Sequence, residues 1–350
     1  MIIVLRPHTT QKDVKAVEVH VSQLGYQPHT IRGVVRTVVA AIGDETVKKS
    51  LETLESLDCV ERVIPIQKRY KLVSREAQEE PTAVRVGRVE IGKGVFHVIA
   101  GPCSVESRTQ MLSTASAVAK AGATLLRGGV FKPRTSPYDF QGLGAKALGI
   151  LAEAKKATGL PVVSEVVREA DLDLMSDIID IVQIGARNAM NYSLLEAVAK
   201  SGKPVMLKRG LAATVEEWLL AAEYLAKNGN PHIILCERGI RTFENATRNT
   251  LDLSAVALAK MECNLPVFVD PSHAAGRCDL ITALSRASIA AGADGLMIEV
   301  HHRPDEAYSD SSQQLTPRQF AALMKDIQPF VKAAGMKMGS NQQKTGRNES

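Results

Sequence analysis

Along this 350-residue chain, short apolar runs repeatedly end on side chains that can bind or react. GPCS supplies Cys103; RGG and the following KPRTSPY supply Arg127, Lys132 and Arg134; SEVV supplies Glu165. GAR, LKRG and CERG supply Arg187, Lys208 and Arg238, DPSH supplies Asp270 and His273, and EVHH supplies Glu299, with Asp310 in the loop beyond. Cys103, His273, Glu299 and Asp310 amount to one thiolate, one imidazole and two carboxylates, a donor set suited to a divalent transition metal. Singly, each has a plainer reading. A buried cysteine is usually a small hydrophobe, His273 could cap a strand or helix, Glu299 could form a salt bridge, and Asp310 in SDSSQQ reads as a solvated carboxylate.

Arg127, Lys132, Arg187, Lys208 and Arg238 form a second set. Five cations directed into one cavity repel one another unless an anion joins them. Guanidinium forks match phosphate and carboxylate oxygens, so a small molecule carrying both groups would account for the excess of donors. Pairing with Glu165, Glu237 and Asp270 removes part of that charge. Gly101, Gly128 and Gly129 beside the charges would let backbone amides approach the same anions. A Schiff-base aldolase, with Lys132 or Lys208 as its amine, is the competing enzyme class. A non-catalytic amino-acid sensor would leave the charged runs unexplained.

The elements that carry these groups repeat. Apolar runs at 95–101, 124–130, 161–167, 181–186, 204–210, 232–238, 266–272 and 295–301 alternate with helical stretches such as 214–229 and 316–335. Each of these two helices opens on Thr and closes on Gly, an N-cap and a C-cap. Eight βα units in this span predict a (β/α)8 TIM barrel, with a doubly wound open sheet as the runner-up. In a barrel the loaded run ends share one rim, and the runs holding Cys103, His273 and Glu299 become neighbours, which strengthens the metal reading. A hairpin at VRVGRVEIGKGVFHVIAG, with GKG as its turn, is expected to close the other mouth.

Before the barrel, residues 1–74 read as β-α-β-β-α-β, a small ferredoxin-like α+β domain with Val14, Val17, Val21 and Leu24 on one helix face and Val47, Leu51 and Leu54 on the other helix. The polar stretch REAQEEPT falls in a linker assigned to 75–84, the barrel domain to 85–335, and a disordered tail to 336–350. Aromatic residues are only 4% of the chain, as expected of buried parallel strands rich in aliphatic residues. With 43 basic and 38 acidic residues the charge is mixed, which argues against nucleic acid. Five widely spaced cysteines without CxxC argue against a disulfide framework and fit a reducing cytoplasm. No apolar run approaches membrane-spanning length.

GPCSVES, LRGGVFKPRTSPYDFQGLG, QIGARN, LKRG, ILCERGIRTF, VDPSHAAGR and EVHH together resemble 3-deoxy-D-arabino-heptulosonate 7-phosphate (DAHP) synthase, the branch with an N-terminal ferredoxin-like regulatory domain. The resemblance implies a transferase that condenses phosphoenolpyruvate with erythrose 4-phosphate in the first step of the shikimate pathway. It implies a metal on Cys103, His273, Glu299 and Asp310, whether Mn²⁺, Fe²⁺, Co²⁺ or Zn²⁺. Arg127, Lys132 and Lys208 would meet the phosphoenolpyruvate carboxylate, while Arg187, Arg238 and the Ala186 amide meet its phosphate. Arg134, Thr135 and Ser136 would hold the erythrose 4-phosphate phosphate, Asp270 belongs to the substrate site, Glu165 would place a water, and Lys132 or a metal-bound water is the candidate acid or base. The resemblance also implies tyrosine or phenylalanine as effector and a homotetramer. The alternative is a 3-deoxy-octulosonate 8-phosphate synthase using arabinose 5-phosphate, against which KPRTS speaks. His301 and His302 stay unassigned.

Overall fold

The computed structural model describes residues 1–32, 37–43, 51–64, 69–133 and 136–340. The chain divides into two compact units, Met1–Arg69 and Tyr70–Ser350.

In the first unit, β1 (Ile2–Leu5), β2 (Gln27–Arg32), β3 (Thr37–Ile42) and β4 (Val60–Ile64) form an antiparallel sheet in the order β2-β3-β1-β4. The Gln11–Gln23 helix starts at a reciprocal cap between Thr10 and Asp13, and its Val14, Val17 and Val21 pack on Ile3, Leu5 and Val39 of the sheet. This is the ferredoxin-like arrangement. Of the second expected helix, the described part is a 3-10 stretch, Leu51–Ser56, and Val47 lies outside the described residues.

In the second unit, a two-stranded hairpin of β5 (Val84–Val86) and β6 (Val89–Ile91) precedes eight parallel strands. These are β7 (Val95–Gly101), β8 (Leu125–Arg127), β9 (Val162–Glu165), β10 (Ile181–Ile184), β11 (Val205–Lys208), β12 (Ile233–Glu237), β13 (Val267–Val269) and β14 (Gly295–Glu299). β14 pairs back onto β7 from Gly295↔His97 to Glu299↔Gly101, so the sheet closes into a barrel, not a doubly wound sheet. One inward residue from every strand, namely Ile99, Leu125, Val163, Ile181, Met206, Ile234, Phe268 and Met297, packs into a single layer. The hairpin's Val84, Val86, Val89 and Ile91 join that layer and plug the N-terminal mouth. Its two strands turn at Gly87–Arg88, where Gly87 (φ +57) supplies the positive φ of a two-residue loop, and the expected GKG turn follows it, closed by a bridge between Gly92 and Val95. Gly92–Gly94 leads from the hairpin into the barrel.

Three further boundaries differ from the sequence reading. The stretch assigned as linker, and residues 70–74 assigned to the first domain, are fastened to the barrel. Tyr70 and Val73 are buried in its core, the Tyr70 hydroxyl donates to Glu262 at 2.9 Å, Arg75 Nε donates to the Lys260 carbonyl at 2.9 Å, and Thr82 bonds Asn264 at 2.8 Å. Polar composition suggested a free linker, but these polar groups find partners on the barrel's helices and loops. The helix expected over 316–335 breaks at Ile327 into Pro317–Asp326 and Gln328–Ala333, since Pro329 lacks the amide needed to continue it. The expected tail is ordered at its start: β15 (Lys337–Met338) pairs with β7, and 341–350 lie outside the described residues.

Candidate active site

Strand side chains alternate with period two, so the residues two beyond the apolar layer also point inward. Counting on from that layer gives Gly101, Arg127, Glu165, Gln183, Lys208, Cys236, Asp270 and Glu299. Five of these eight, Arg127, Glu165, Lys208, Asp270 and Glu299, are charged, at the carboxyl ends of their strands, while Cys236 stays in the apolar cluster. Gly101 in this layer (φ +151) lies so close to β8 that a Cβ there would overlap the Arg127 carbonyl.

Cys103, Glu299 and Asp310 converge, with one ligand atom from each lying within 4.8 Å of the others. The Cys103 thiol donates to Asp310 Oδ2 at 3.0 Å. His273 Nε2 stands 3.4 Å from Glu299 Oε1, and its Nδ1 bonds Asp270 Oδ2 at 2.7 Å. That second contact fixes the ring and turns Nε2 toward the cluster. Asp270 caps the short Pro271–Ala275 helix by accepting from the His273 amide, which is why DPSH brings both side chains to one place. Asp310 is mostly buried, contrary to the plain reading of its loop as solvated.

The electrostatics are those of a site built around a cation. Burial pushes the Cys103 thiol up to about 12, so the thiolate needs a positive charge beside it. Burial lowers His273 to about 4, leaving a neutral imidazole. Burial opposes charge on Glu299 too, but His273 and Arg127 outweigh it and hold the carboxyl low. Glu299 Oε1 is fully buried and has no hydrogen-bond partner among the described residues, although Arg127 Nη1 lies 3.0 Å away. A buried carboxylate oxygen without a hydrogen bond, beside a thiol and an imidazole, fits a divalent metal.

Above this cluster the cavity is lined by Arg127, Lys132, Arg187, Lys208, Arg238 and Arg248, with Glu165, Ala186, His273 and Asp310 among its other walls. The structure thus brings together all five expected cations. Of the carboxylates expected to pair with them, Asp270 does so and Glu237 does not. Asp270 pairs with Lys208 at 2.5 Å, and burial of Asp270 is outweighed by His273 and Lys208, which hold it well below the usual carboxylate range. Glu237, by contrast, gives nothing to the cavity. It points outward, pairs with Arg209 at 3.0 Å and accepts the Gly239 amide at 2.6 Å. Glu165 accepts from Gln183 at 3.3 Å and lies over Gly185, where a Cβ would overlap it.

The glycine amides are used differently from expectation. Gly128 donates to the Val163 carbonyl and Gly129 to that of Cys103, so the barrel backbone occupies both. Arg134 and Thr135 lie outside the described residues. Ser136 sits on an exposed turn, accepting from the Tyr138 amide at 3.3 Å, and is not among the cavity-lining residues. Sequence reasoning missed Arg248, which bonds Asp310 Oδ1 at 3.1 Å from a loop after β12. No motif singled out in the sequence covers it. His301 is buried with Nε2 3.3 Å from Glu106, and its ring packs on His302.

Residues 69–333 match the family described as the DAHP synthetase I family, and residues 1–68 match the DAHP synthase ferredoxin-like domain. The phospho-2-dehydro-3-deoxyheptonate aldolase of Thermotoga maritima is 49% identical over 338 residues, spanning 97% of this chain and 100% of that relative. Its crystal structure superposes with a TM-score of 0.91, covering 97% of this chain and 99% of that one. A truncated form of the Thermotoga maritima 3-deoxy-D-arabino-heptulosonate 7-phosphate synthase covers 77% of this chain and 98% of its own, with a TM-score of 0.72. The 2-dehydro-3-deoxyphosphooctonate aldolase of Bradyrhizobium diazoefficiens is 31% identical and spans 71% of this chain and 94% of that relative.

Proposed function

The chain belongs to the DAHP synthetase I family and is a DAHP-forming enzyme; from that premise we propose which of its residues carry the reaction of phosphoenolpyruvate with erythrose 4-phosphate. The observation that supports the assignment is one rim on which a cluster of a thiol and two carboxylates, with the His273 imidazole beside Glu299, lies below a cavity lined with cations.

Cys103, His273, Glu299 and Asp310 would hold a divalent ion, among Mn²⁺, Fe²⁺, Co²⁺ and Zn²⁺. The chemistry it supplies is Lewis-acid polarisation of the sugar aldehyde. Arg127, Lys132 and Lys208 hold the phosphoenolpyruvate carboxylate, and Arg187, Arg238 and the Ala186 amide hold its phosphate. Arg134, Thr135 and Ser136 receive the sugar phosphate. Held in this way, C3 of phosphoenolpyruvate attacks the aldehyde carbon. Water placed by Glu165 adds at C2, and the resulting hemiketal phosphate expels inorganic phosphate by C–O cleavage. Lys132, which lines the cavity, is the candidate proton carrier; burial opposes its charge, but Cys103 and Glu299 hold its pKa above the ordinary lysine value.

A Schiff-base route needs a neutral amine. Lys208 sits against the buried Asp270 carboxylate and Lys132 is held charged, so neither lysine suits that role. The octulosonate reaction is the less favoured alternative, since the relative carrying that name is more distant and spans only 71% of this chain. The ferredoxin-like unit we assign to regulation by tyrosine or phenylalanine in a homotetramer. We place the enzyme in the cytoplasm; no helix among the described residues is long and apolar enough to cross a membrane.

Chelation tests the metal assignment. Dialysis against a strong chelator should abolish turnover and Mn²⁺ should restore it, and Cys103→Ala should lose tight metal binding. Full activity in the chelated enzyme would overturn the ligand set.

A further inference from the structure

The loop after β14 contains two adjacent buried glutamines that the reaction does not use, Gln313 and Gln314. Both grip the cluster assigned above to the metal. Gln313 Nε2 donates to Glu299 Oε2 at 2.6 Å, while its Oε1 accepts from Arg248 Nη1 at 2.8 Å. The same Arg248 nitrogen donates to Asp310 Oδ1 at 3.1 Å. Gln314 Oε1 accepts the Cys103 amide at 3.1 Å, and its Nε2 donates to the Ser309 carbonyl, next to Asp310, at 2.9 Å.

The chemistry of the partners fixes the Gln313 amide. A carboxylate can only accept and a guanidinium can only donate, so the amide cannot flip without losing both bonds. Its consequence falls on Glu299. With Oε2 held by Gln313, the oxygen left without a hydrogen bond is Oε1, the one facing His273. Gln313 thereby selects which carboxylate oxygen is turned toward His273 and Arg127.

Asp310 needs support of another kind. It adopts φ +53 and ψ +36, the left-handed region that side-chain-bearing residues seldom occupy. Arg248 holds its side chain, and the Gln313 amide donates to its carbonyl at 3.2 Å. On the neighbouring residue, Ser309 meets Ser104 hydroxyl to hydroxyl at 2.9 Å.

We propose that Gln313 and Gln314 are positioning residues that preset Glu299, Asp310 and Cys103 for a divalent metal, Gln313 by orienting the carboxylates and Gln314 by tying the Cys103 backbone to the Asp310 loop. The proposal rests on the metal assignment given above. Partners of this kind, lying behind metal ligands, typically set affinity by 10–100-fold.

The test compares the full-length wild type with Gln313→Met, Gln313→Glu and Gln314→Met. Mn²⁺ affinity is measured by titration of the metal-free protein, and the thiolate-to-metal absorption is recorded after Co²⁺ loading. Gln313→Met should weaken Mn²⁺ binding about tenfold or more. Gln313→Glu keeps the acceptor for Arg248 but sets a carboxylate against Glu299, and it should still bind Mn²⁺ less tightly than wild type. Gln314→Met should shift or weaken the Co²⁺–thiolate band, a change that general loosening of the fold would not confine to that signal. If wild type binds Mn²⁺ and both Gln313 variants bind it within about twofold of wild type, the positioning role is overturned while the metal site stands. If wild type itself binds neither Mn²⁺ nor Co²⁺, the metal assignment falls and the positioning role with it.

Discussion

Asp270→Asn probes how far the barrel mouth depends on one buried carboxylate. Asp270 is completely buried and accepts from Lys208 Nζ at 2.5 Å, from His273 Nδ1 at 2.7 Å and from the His273 amide at 2.9 Å. Asparagine preserves the volume and one acceptor oxygen but removes the charge. Lys208, only 3% exposed, is then left without its counter-charge. Breaking a buried pair from one side costs about 3–5 kcal/mol, and the acceptor that survives places the expectation at the lower end, about 3 kcal/mol. In a domain of this size 1 kcal/mol moves Tm by about 2–4 °C, so the variant should melt roughly 6–12 °C lower. The pH dependence carries the same signature. A carboxyl depressed in the folded state contributes stability above its unfolded pKa and loses it as pH falls through the folded value, so Asp270→Asn should flatten the acid limb of the stability curve. Calorimetry of the metal-free full-length chain at several pH values reads both effects. A variant melting within about 2 °C of wild type at neutral pH would refute the claim that this pair anchors the rim.

His97 is buried between Thr124 and the Glu90 carbonyl, and burial lowers its pKa. A histidine held neutral loses stability for the fold as pH drops below about 6.5, where the unfolded chain takes up the proton; His97→Gln should lose that dependence in denaturant titrations. A chain beginning at residue 70 should keep catalysis and lose inhibition by tyrosine or phenylalanine, as kinetics with each amino acid would show. One beginning at residue 81 should be less stable in urea, because Tyr70 and Val73 each contribute about 1.5–3 kcal/mol of apolar burial.

Much of the barrel and its rim could be read in the residues because one rule, the period-two alternation, decides both. The step that buries Met206 in the apolar layer also aims Lys208 into the cavity and sends Arg209 outside, where it meets Glu237. Missing that parity for Glu237 led to its expected place among the cavity carboxylates. What stayed hidden depends on loops, whose side-chain directions follow no period. Arg248, Gln313 and Gln314 reach the cluster only through turns that bring 248 and 313 together. The attachment of Tyr70 in the expected first domain and of Thr82 in the expected linker stayed hidden because their partners Glu262 and Asn264 lie far along the chain. The Cys103, Glu299 and Asp310 cluster was the reverse case, three weak signals joined by barrel closure through β7 and β14.

Phosphate release from phosphoenolpyruvate, measured on the Mn²⁺-loaded enzyme with erythrose 4-phosphate or arabinose 5-phosphate as the second substrate, tests the assignment most directly. Release should be rapid with erythrose 4-phosphate, slight with the five-carbon sugar, and absent after chelation. Equal rates with the two sugars, or release that survives removal of the metal, would contradict it.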